Sequence, residues 1–204
     1  MPRTSERGGP QTRARIADAA ASLFAERGFD AVTVAEVARA AGVSSVTVFK
    51  HFPRKEDLYL DRTADAVEFL HAAVRDRAPG ADVLDSLRAM TLRLLEERHP
   101  LSGVNDRSIP FFGTVAASPT LIARAREIAA ELQRTLTDDL TQDPTFKGDP
   151  ALFAAFFIAG YSTVLVNIAS RRIADPTTST DLDEHRASYE HLFTALRTGV
   201  APKP

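Results

Sequence analysis

The chain has 204 residues, of which 44% are hydrophobic and 25% are charged, a balance typical of a soluble protein that can fill a core. Cysteine is absent, which excludes a disulfide framework and zinc sites with thiolate ligands. The net charge of −2 conceals an asymmetry, since residues 1–55 carry nine Lys or Arg and five Asp or Glu, whereas residues 56–204 carry sixteen and twenty-two. A basic N-terminal part is typical of contact with a polyanion, although a solvated basic face has the same composition.

The N-terminal segment begins without apolar periodicity. Residues 1–10 are polar and rich in Gly and Pro, which predicts a disordered tail. They lack the apolar segment of a secretory signal, and we expect a cytoplasmic protein. From Thr12 the helical period appears, and Gly28 is placed to end the helix in a left-handed turn. One face of this first helix holds Ile16, Ala20, Leu23 and Phe24.

Two further helices are predicted directly after the first. The hydroxyl of Thr33 can cap a second helix while Glu36 reaches back to it, as in a capping box, and Gly42 ends that helix. Ser44 is a natural N-cap for a third helix. Pro53 ends the third helix because it disfavours helical backbone at the preceding residue.

The third helix is the most informative part of the sequence. Its β-branched residues would by propensity also allow a short strand, but Val43 and Val48 are spaced as a hydrophobic staple. This spacing favours a helix and completes a helix-turn-helix arrangement. At about 100° per residue, the inner half holds Ser45, Val48, Phe49 and Phe52. Hydroxyls, cationic donors and one apolar side chain suited to a DNA groove face outward: Val46, Thr47, Lys50 and His51.

The remainder of the chain is predicted to be helical, with loops that contain Pro and Gly. The apolar run of residues 151–169 is interrupted by polar side chains, so we interpret it as a buried helix and not as a membrane span. The predicted helices cover about residues 54–77, 82–98, 107–114, 119–141, 150–173 and 182–198.

Four motifs within residues 12–60 are more specific than periodicity. They are Ala19-Ala20-x-x-Leu23-Phe24-x-x-x-Gly28-Phe29, Thr33-Val34-x-x-Val37-Ala38, Ala41-Gly42-Val43-Ser44 and Thr47-Val48-Phe49-x-His51-Phe52-x-x-Lys55-Glu56-x-Leu58. Together they resemble the TetR family of bacterial transcriptional repressors. The resemblance implies an all-α fold, with an N-terminal three-helix DNA-binding domain at residues 11–54 that contains the helix-turn-helix. A larger helical domain for effector binding and dimerisation is then expected at residues 55–200.

The resemblance also implies roles for individual residues. Those expected to approach bases are Ser44, Ser45, Val46 and Thr47. Those expected to hold the DNA backbone are Thr33, Phe49, His51 and Lys55, with Lys50 as a further donor. Lys55 is expected to begin the next helix and to add charge to its free N–H groups. Position 49 is more often Tyr in the family and position 46 is often Gly, so fine specificity is expected to differ. Taken singly, each side chain has an alternative role as a cap or a solvated surface group.

No catalytic, metal or cofactor site is predicted. The sequence contains none of the G-x-S-x-G, H-E-x-x-H or phosphate-binding glycine motifs. Four histidines outside the third helix form no metal-like cluster, and we expect them at the surface: His71, His99, His185 and His191. The pairs Glu96-Glu97 and Asp138-Asp139 are interpreted as solvated faces.

The helix predicted at residues 150–173 is apolar almost all round, so both of its faces need burial. The resemblance implies that the last two helices form a homodimer interface, with Val164 and Leu192 as interface positions, and that an apolar ligand pocket lies nearby. Packing within a single core is the alternative. Candidate ligand-binding residues are Phe69, Leu92, Leu95, Phe111, Phe112, Phe157, Tyr161 and Asn167. Tyr161 and Asn167 are the polar groups expected to orient a mostly apolar effector, unless the core is filled.

These observations predict a dimeric transcriptional regulator that a small ligand releases from a palindromic operator in double-stranded DNA. An activator or a ligand-independent repressor is the nearest alternative. A helical enzyme or small-molecule carrier with a vestigial DNA-binding end is the alternative from another class. Retention of Ser44, Thr47, His51 and Lys55 favours the regulator, because a relic need not keep that set.

Overall fold

The computed structural model describes residues 8–105, 108–174 and 182–199. Within these ranges the chain contains helices and no β-strand, which confirms the predicted all-α class. The helices are α1 (Gly8–Arg27), α2 (Val34–Ala40), α3 (Ser45–His51), α4 (Thr63–Arg75), α5 (Val83–Glu96), α6 (Ser108–Ala117), α7 (Pro119–Gln142), α8 (Pro150–Ala174) and α9 (Leu182–Gly199). Two short 3₁₀ helices lie at Glu56–Leu58 and Pro100–Ser102.

The predicted caps and turns of the first three helices are present. Thr33 and Glu36 form the capping box of α2, and the Ser44 side chain accepts from the backbone N–H of Thr47 at the start of α3. Gly28 and Gly42 have φ angles of 79° and 65°, where a β-carbon is disfavoured. Local sequence therefore sets the lengths and entry points of α2 and α3.

The prediction of a disordered tail at residues 1–10 can be compared with the structure only at residues 8–10, because residues 1–7 lie outside the described residues. Residues 8–10, which were predicted to be disordered, form the first turn of α1. Pro10 is compatible with this position, since the first turn of a helix has N–H groups without intrahelical partners.

The chain divides into two compact units. The first comprises Met1–Asp61 together with Thr114–Arg124, and the second comprises Arg62–Gly113 and Ala125–Pro204. The first unit thus extends beyond the predicted boundary at residue 54 and includes a segment that the sequence had placed in the second domain. Its buried core holds Ile16, Ala20, Phe24, Phe29, Val32, Val37, Ala38, Ala41, Val48, Phe52, Leu58 and Leu121.

The prediction of a single long helix at residues 54–77 is wrong. A 3₁₀ helix at Glu56–Leu58 and a turn separate α3 from α4, which begins at Thr63. The Asp57 carboxylate accepts a hydrogen bond from the backbone N–H of Arg54 at 3.1 Å, and Leu58 is buried in the first core. Local capping and burial of Leu58 therefore outweigh helix propensity in this segment. The other predicted helices are observed to within a few residues.

The second unit is built on α4, α5, α8, α9 and most of α7. Its cluster of buried side chains includes Leu87, Leu94, Leu136 and Tyr189, all with almost no exposed surface. The side chains of α5 and α9 pair at their edges through Arg88 with Glu190, Arg197 with Asp85, and Arg186 with Glu96. These two helices therefore pack closely along their lengths.

Helix α8 has two distinct faces. One face contributes Phe153, Phe157 and Ile168 to the core of the second unit. The other leaves large apolar side chains between 40% and 56% exposed: Leu152, Phe156, Val166 and Ile173. Among the described helices α8 alone is long and apolar enough to cross a membrane, by length and composition only. Its contribution to a packed core identifies it as a core helix with one uncovered face.

Two predictions of solvated side chains are wrong. Asp139, expected on a solvated face, is only 2% exposed. Its carboxylate bonds to Nδ1 of His71 at 2.6 Å and accepts from Nε of Arg75 at 2.8 Å. Two basic side chains one helical turn apart on α4 thus provide hydrogen bonds for a buried carboxylate. His185, expected at the surface, is also buried.

Candidate nucleic-acid interface

Helix α3 is short and is held at its start by side-chain hydrogen bonds. The Ser44 Oγ accepts from the backbone N–H of Thr47 at 3.1 Å and lies 2.9 Å from Thr47 Oγ1. Val48 and Phe52 anchor the inner side in the first core, with at most 1% of their surfaces exposed. The cap and the two buried anchors give the outward side chains a defined platform.

The outward face of α3 has the predicted polarity. Val46 is 79% exposed, and Lys50, four residues further along the helix, is also exposed. Thr47 and His51 are half-buried. Lys50 and His51 also lie in the last turn, where cationic groups interact favourably with the helix dipole. The exposed Val46 side chain offers only an apolar surface to solvent.

The assignment of Phe49 to the inner half of α3 is wrong. Its side chain is 49% exposed, because Val48 and Phe52 already occupy the inner positions. Ser45, also predicted to face inward, is half-buried. The exposed ring of Phe49 remains compatible with its predicted place beside a DNA backbone.

Thr33 is exposed, but its hydroxyl is committed within the protein. Its Oγ1 donates to Glu36 Oε2 at 2.7 Å, and Glu36 also accepts from the backbone N–H of Thr33 and from Arg27 Nη1, each at 2.8 Å. These hydrogen bonds lower the pKa of Glu36 to about 2, and the bond from the Thr33 hydroxyl has the largest effect. The carboxylate therefore keeps its charge and continues to hold Thr33 in place.

Lys55 occupies a different environment from the one predicted. No long helix begins there, so its charge does not supplement a helix N-terminus. Its ammonium group lies 4.3 Å from the centroid of the Phe29 ring, and it donates to the carbonyl oxygen of Asp30 at 3.4 Å. A lysine ammonium has three donors, so the bond to Asp30 leaves capacity for a phosphate.

Sequence patterns missed Arg13. It lies on the flank of α1, and its Nη1 donates to the carbonyl oxygen of His51, at the end of α3, at 2.9 Å. The sequence shows an arginine three residues before Ile16, the first residue of the apolar stripe. That spacing places Arg13 near the core face of α1, but its acceptor is 38 residues away and no local pattern identifies it.

The candidate ligand residues all belong to the second unit. Leu95 and Phe157 lie in its core, Phe69 and Tyr161 pack against that core, and Leu92 is buried. The half-buried rings of Phe111 and Phe112 meet edge to face with centroids 5.2 Å apart.

The two polar groups predicted to orient a ligand have different surroundings. Asn167 is exposed, so the prediction that it points into the interior is wrong. Tyr161 donates from its hydroxyl to the carbonyl oxygen of Leu101 at 3.0 Å, and its ring lies 5.2 Å from that of Tyr189. Burial raises the pKa of Tyr161 to about 12. In this structure the phenol therefore fixes the segment after α5.

No group of three or more His, Asp or Glu side chains suited to a metal ion occurs in the part of the chain that the structure describes. The family model for bacterial regulatory proteins of the tetR family matches residues 16–61, the segment that contains α2, α3 and most of α1. Residues 16–61 therefore carry a domain of the tetR family.

Two curated relatives align with parts of this chain. The chain is 30% identical over 99 residues to the transcriptional regulator AcrR of Shigella flexneri, covering 47% of this chain and 46% of AcrR. It is 32% identical over 85 residues to the transcriptional repressor KstR2 of Mycobacterium tuberculosis, covering 41% of this chain and 42% of KstR2. The alignment thus spans less than half the length of each of these relatives.

Two solved structures share the fold of this chain. NalD, the secondary repressor of the MexAB-OprM multidrug efflux pump of Pseudomonas aeruginosa, aligns with a TM-score of 0.55 at 20% identity, over 94% of this chain and 98% of NalD. SmeT in complex with triclosan aligns with a TM-score of 0.58 at 20% identity, over 95% and 98% of the two chains. SmeT represses the Stenotrophomonas maltophilia efflux pump SmeDEF. At these identities the likeness concerns the fold alone.

Proposed function

We propose that this TetR-family chain is a transcriptional repressor that binds a palindromic operator as a homodimer and leaves it when a small, mostly apolar ligand binds. The observation that carries the proposal is the exposed face of α3. On this capped helix Val46 and Lys50 are exposed and Thr47 is half-buried. A helix of this kind fits the major groove of B-DNA.

The base contacts in this proposal fall to the middle of α3. Val46 can contact a thymine methyl, while Thr47 and Lys50 can reach acceptors on base edges. Ser44 and Ser45 flank these positions, and the Ser44 oxygen already accepts the cap hydrogen bond. The surrounding groups that contact the sugar-phosphate backbone and set the register of α3 are Phe49, His51 and Lys55. Thr33, whose hydroxyl and N–H already donate to Glu36, adds only van der Waals contact there.

The proposed partner of the uncovered α8 face is a second copy of the chain. Four large apolar side chains exposed on one helix face would be costly in a monomer, and burial against an identical face removes them from water. Val164 and Leu192, the interface positions expected from the sequence, pack against the core of their own unit. Phe156 and Val166 are therefore the better candidates for contacts between subunits. A two-fold dimer matches a palindromic operator.

The ligand response is proposed to be a shift between two populations. A ligand releases the operator if it binds more tightly to a state in which the two α3 helices no longer match successive major grooves. The mostly apolar character proposed for the ligand rests on the aromatic side chains of the second unit, Phe69, Phe111, Phe112 and Phe157. The complex of SmeT with triclosan provides a precedent on the same fold.

The alternative of a helical enzyme or carrier with a vestigial DNA-binding end is not favoured. The family match falls on the DNA-binding segment, and α3 keeps an exposed polar and apolar face there. We accordingly propose a non-enzymatic, cytoplasmic regulator that requires no cofactor.

Selection of bound duplexes from random DNA tests this function. We expect the purified protein to enrich a two-fold symmetric site whose half-sites are about one helical turn, roughly 34 Å, apart. Apolar and hydrophilic compounds are then added to the selected complex in parallel. Enrichment of no sequence would contradict the regulator, and release by hydrophilic, charged compounds alone would contradict the apolar effector.

A further inference from the structure

One arginine connects three parts of the first unit. Arg13 of α1 donates from Nη1 to the carbonyl oxygen of His51 at 2.9 Å and from Nη2 to the carbonyl oxygen of Asp61 at 3.3 Å. Its guanidinium carbon lies 4.0 Å from the centroid of the Phe52 ring. The same planar group thus contacts the end of α3 and Asp61, the last residue of the N-terminal segment of the first unit.

The contact with α3 occurs where that helix lacks internal hydrogen bonds. The last carbonyl groups of a helix have no intrahelical donor, and α3 ends at His51. Arg13 supplies a charged donor at this position, which also complements the partial negative charge at the helix terminus. Stacking on Phe52, a fully buried anchor of the core, fixes the direction of the guanidinium.

We propose that Arg13 is a positioning residue for DNA recognition, which sets the orientation of α3 by tying its last carbonyl to the backbone at Asp61. This inference rests on the proposed DNA-binding function. A movement of the chain at Asp61 is transmitted to the recognition helix through one side chain, without any contact between Arg13 and a base. Arg13 therefore affects discrimination between DNA sequences more than non-specific affinity.

The role requires arginine and not merely a positive charge. The guanidinium has five N–H donors in a rigid plane, so it can serve two carbonyl oxygens while it stacks on a ring. The ammonium group of lysine is a compact donor on a flexible stem and does not reproduce this geometry. Arg13→Lys thus keeps the positive charge and removes the planar set of N–H donors.

The DNA test compares Arg13→Lys with Arg15→Lys, a control at an exposed position two residues along α1. Affinities are measured for the duplex that the wild-type protein selects and for a scrambled duplex of equal length. For Arg13→Lys we expect the ratio of the two affinities to fall roughly tenfold, comparable to a mismatched base pair. Affinity for the scrambled duplex and its salt dependence should stay unchanged, and Arg15→Lys should keep the ratio within about twofold.

Amide hydrogen exchange provides a readout without DNA. We expect Arg13→Lys to accelerate exchange at Phe52, whose N–H bonds to the carbonyl oxygen of Val48, while amides in the middle of α1 keep their wild-type rates. A uniform acceleration with an unchanged affinity ratio would make Arg13 only a stabilising residue and overturn the proposal. A smaller salt slope for Arg13→Gln would make it a phosphate contact and also overturn it. The wild-type protein could bind no DNA while exchange at the Phe52 amide still accelerates in Arg13→Lys. In that case the proposed function and the recognition role both fail, and only the structural contact of Arg13 with the end of α3 is supported.

Discussion

Arg124 and Asp57 form an ion pair that is largely shielded from water. The Nε of Arg124, in the first turns of α7, donates to Asp57 Oδ1 at 2.7 Å, and the two side chains are 11% and 15% exposed. The same carboxylate accepts from the backbone N–H of Arg54. One carboxylate therefore holds both the turn after α3 and the segment of α7 that belongs to the first unit.

We predict that Arg124→Met lowers the free energy of unfolding of the first unit by about 2 kcal/mol. Removing one partner leaves the Asp57 charge mostly buried with a single backbone donor, and the partial exposure of the site keeps the loss below that of a fully buried pair. Urea denaturation followed by circular dichroism measures the loss. Arg171→Met is the matched control, because Arg171 and Glu184 are 63% and 53% exposed and contribute little. Equal losses for both variants would contradict the prediction.

Lys55→Ala should weaken binding to selected and scrambled DNA by similar factors. If the ammonium group contacts one phosphate per subunit, the slope of log K against log salt should shrink by about one unit per subunit, or about two per dimer. Fluorescence anisotropy with labelled duplex at several salt concentrations gives this slope. An unchanged slope in a folded variant would mean that Lys55 serves only to bind Phe29 and the carbonyl of Asp30.

Val46→Ala should relax sequence preference more than it lowers total affinity. The side chain is 79% exposed and apolar, so its contribution to recognition comes from contact with methyl groups and from shape. The loss at the preferred base pair should be roughly 1 kcal/mol, the lower end of the cost of a mismatch. Alanine keeps helix propensity, so α3 stays folded. Recovery of the same site by wild type and variant would show that Val46 touches no base.

Local features of the fold were predictable from the sequence, because their partners lie close along the chain. The capping box of α2 joins Thr33 to a residue three positions away, and the Ser44 cap also spans three positions. Such hydrogen bonds depend on residue type and spacing alone. The same holds for the apolar stripe of α1, which follows the helical period.

The features that sequence patterns missed depend on residues distant in the chain. Arg13 bonds to carbonyl groups 38 and 48 positions away, and Asp139 meets His71 68 positions away. Backbone acceptors leave no trace in composition, and an acidic pair on a helix has the same pattern whether it is solvated or buried. Asn167 was misplaced for a related reason, since an apolar helix with two possible faces does not reveal which one its core selects.

Protonation of His99 should lower the stability of the second unit in mild acid. Its Nδ1 accepts from the backbone N–H of Leu101 at 3.2 Å, so the imidazole is neutral at that atom. Burial and the nearby charge of Arg62 lower its pKa from the ordinary value of 6.5, while Asp65 and Glu97 oppose the shift. His99 therefore binds a proton more readily in the unfolded chain than in the folded one. The free energy of unfolding is at its full value above pH 6.5 and declines as the pH falls below it.

Thermal unfolding between pH 7.5 and pH 5.0 measures this effect. His99→Asn keeps a capping acceptor without a titrating group, and we expect it to lose the decline in this window. Carboxylates with lowered pKa values, among them Asp143 and Glu190, titrate at lower pH and stay charged throughout it. An identical pH profile for wild type and His99→Asn would contradict the assignment.

The uncovered face of α8 gives the final prediction. Phe156→Arg should convert a dimer into monomers at micromolar concentration, because it places a charge among apolar side chains that the second subunit must bury. Light scattering measures the mass. Binding to the selected palindrome should fall roughly 100-fold, since each half-site is then bound without the gain from linkage. Ala130→Arg, at an exposed position of α7, is the control and should remain dimeric. A monomeric wild-type protein would contradict the proposed dimer, and a Phe156→Arg variant that still dimerises would place the interface elsewhere.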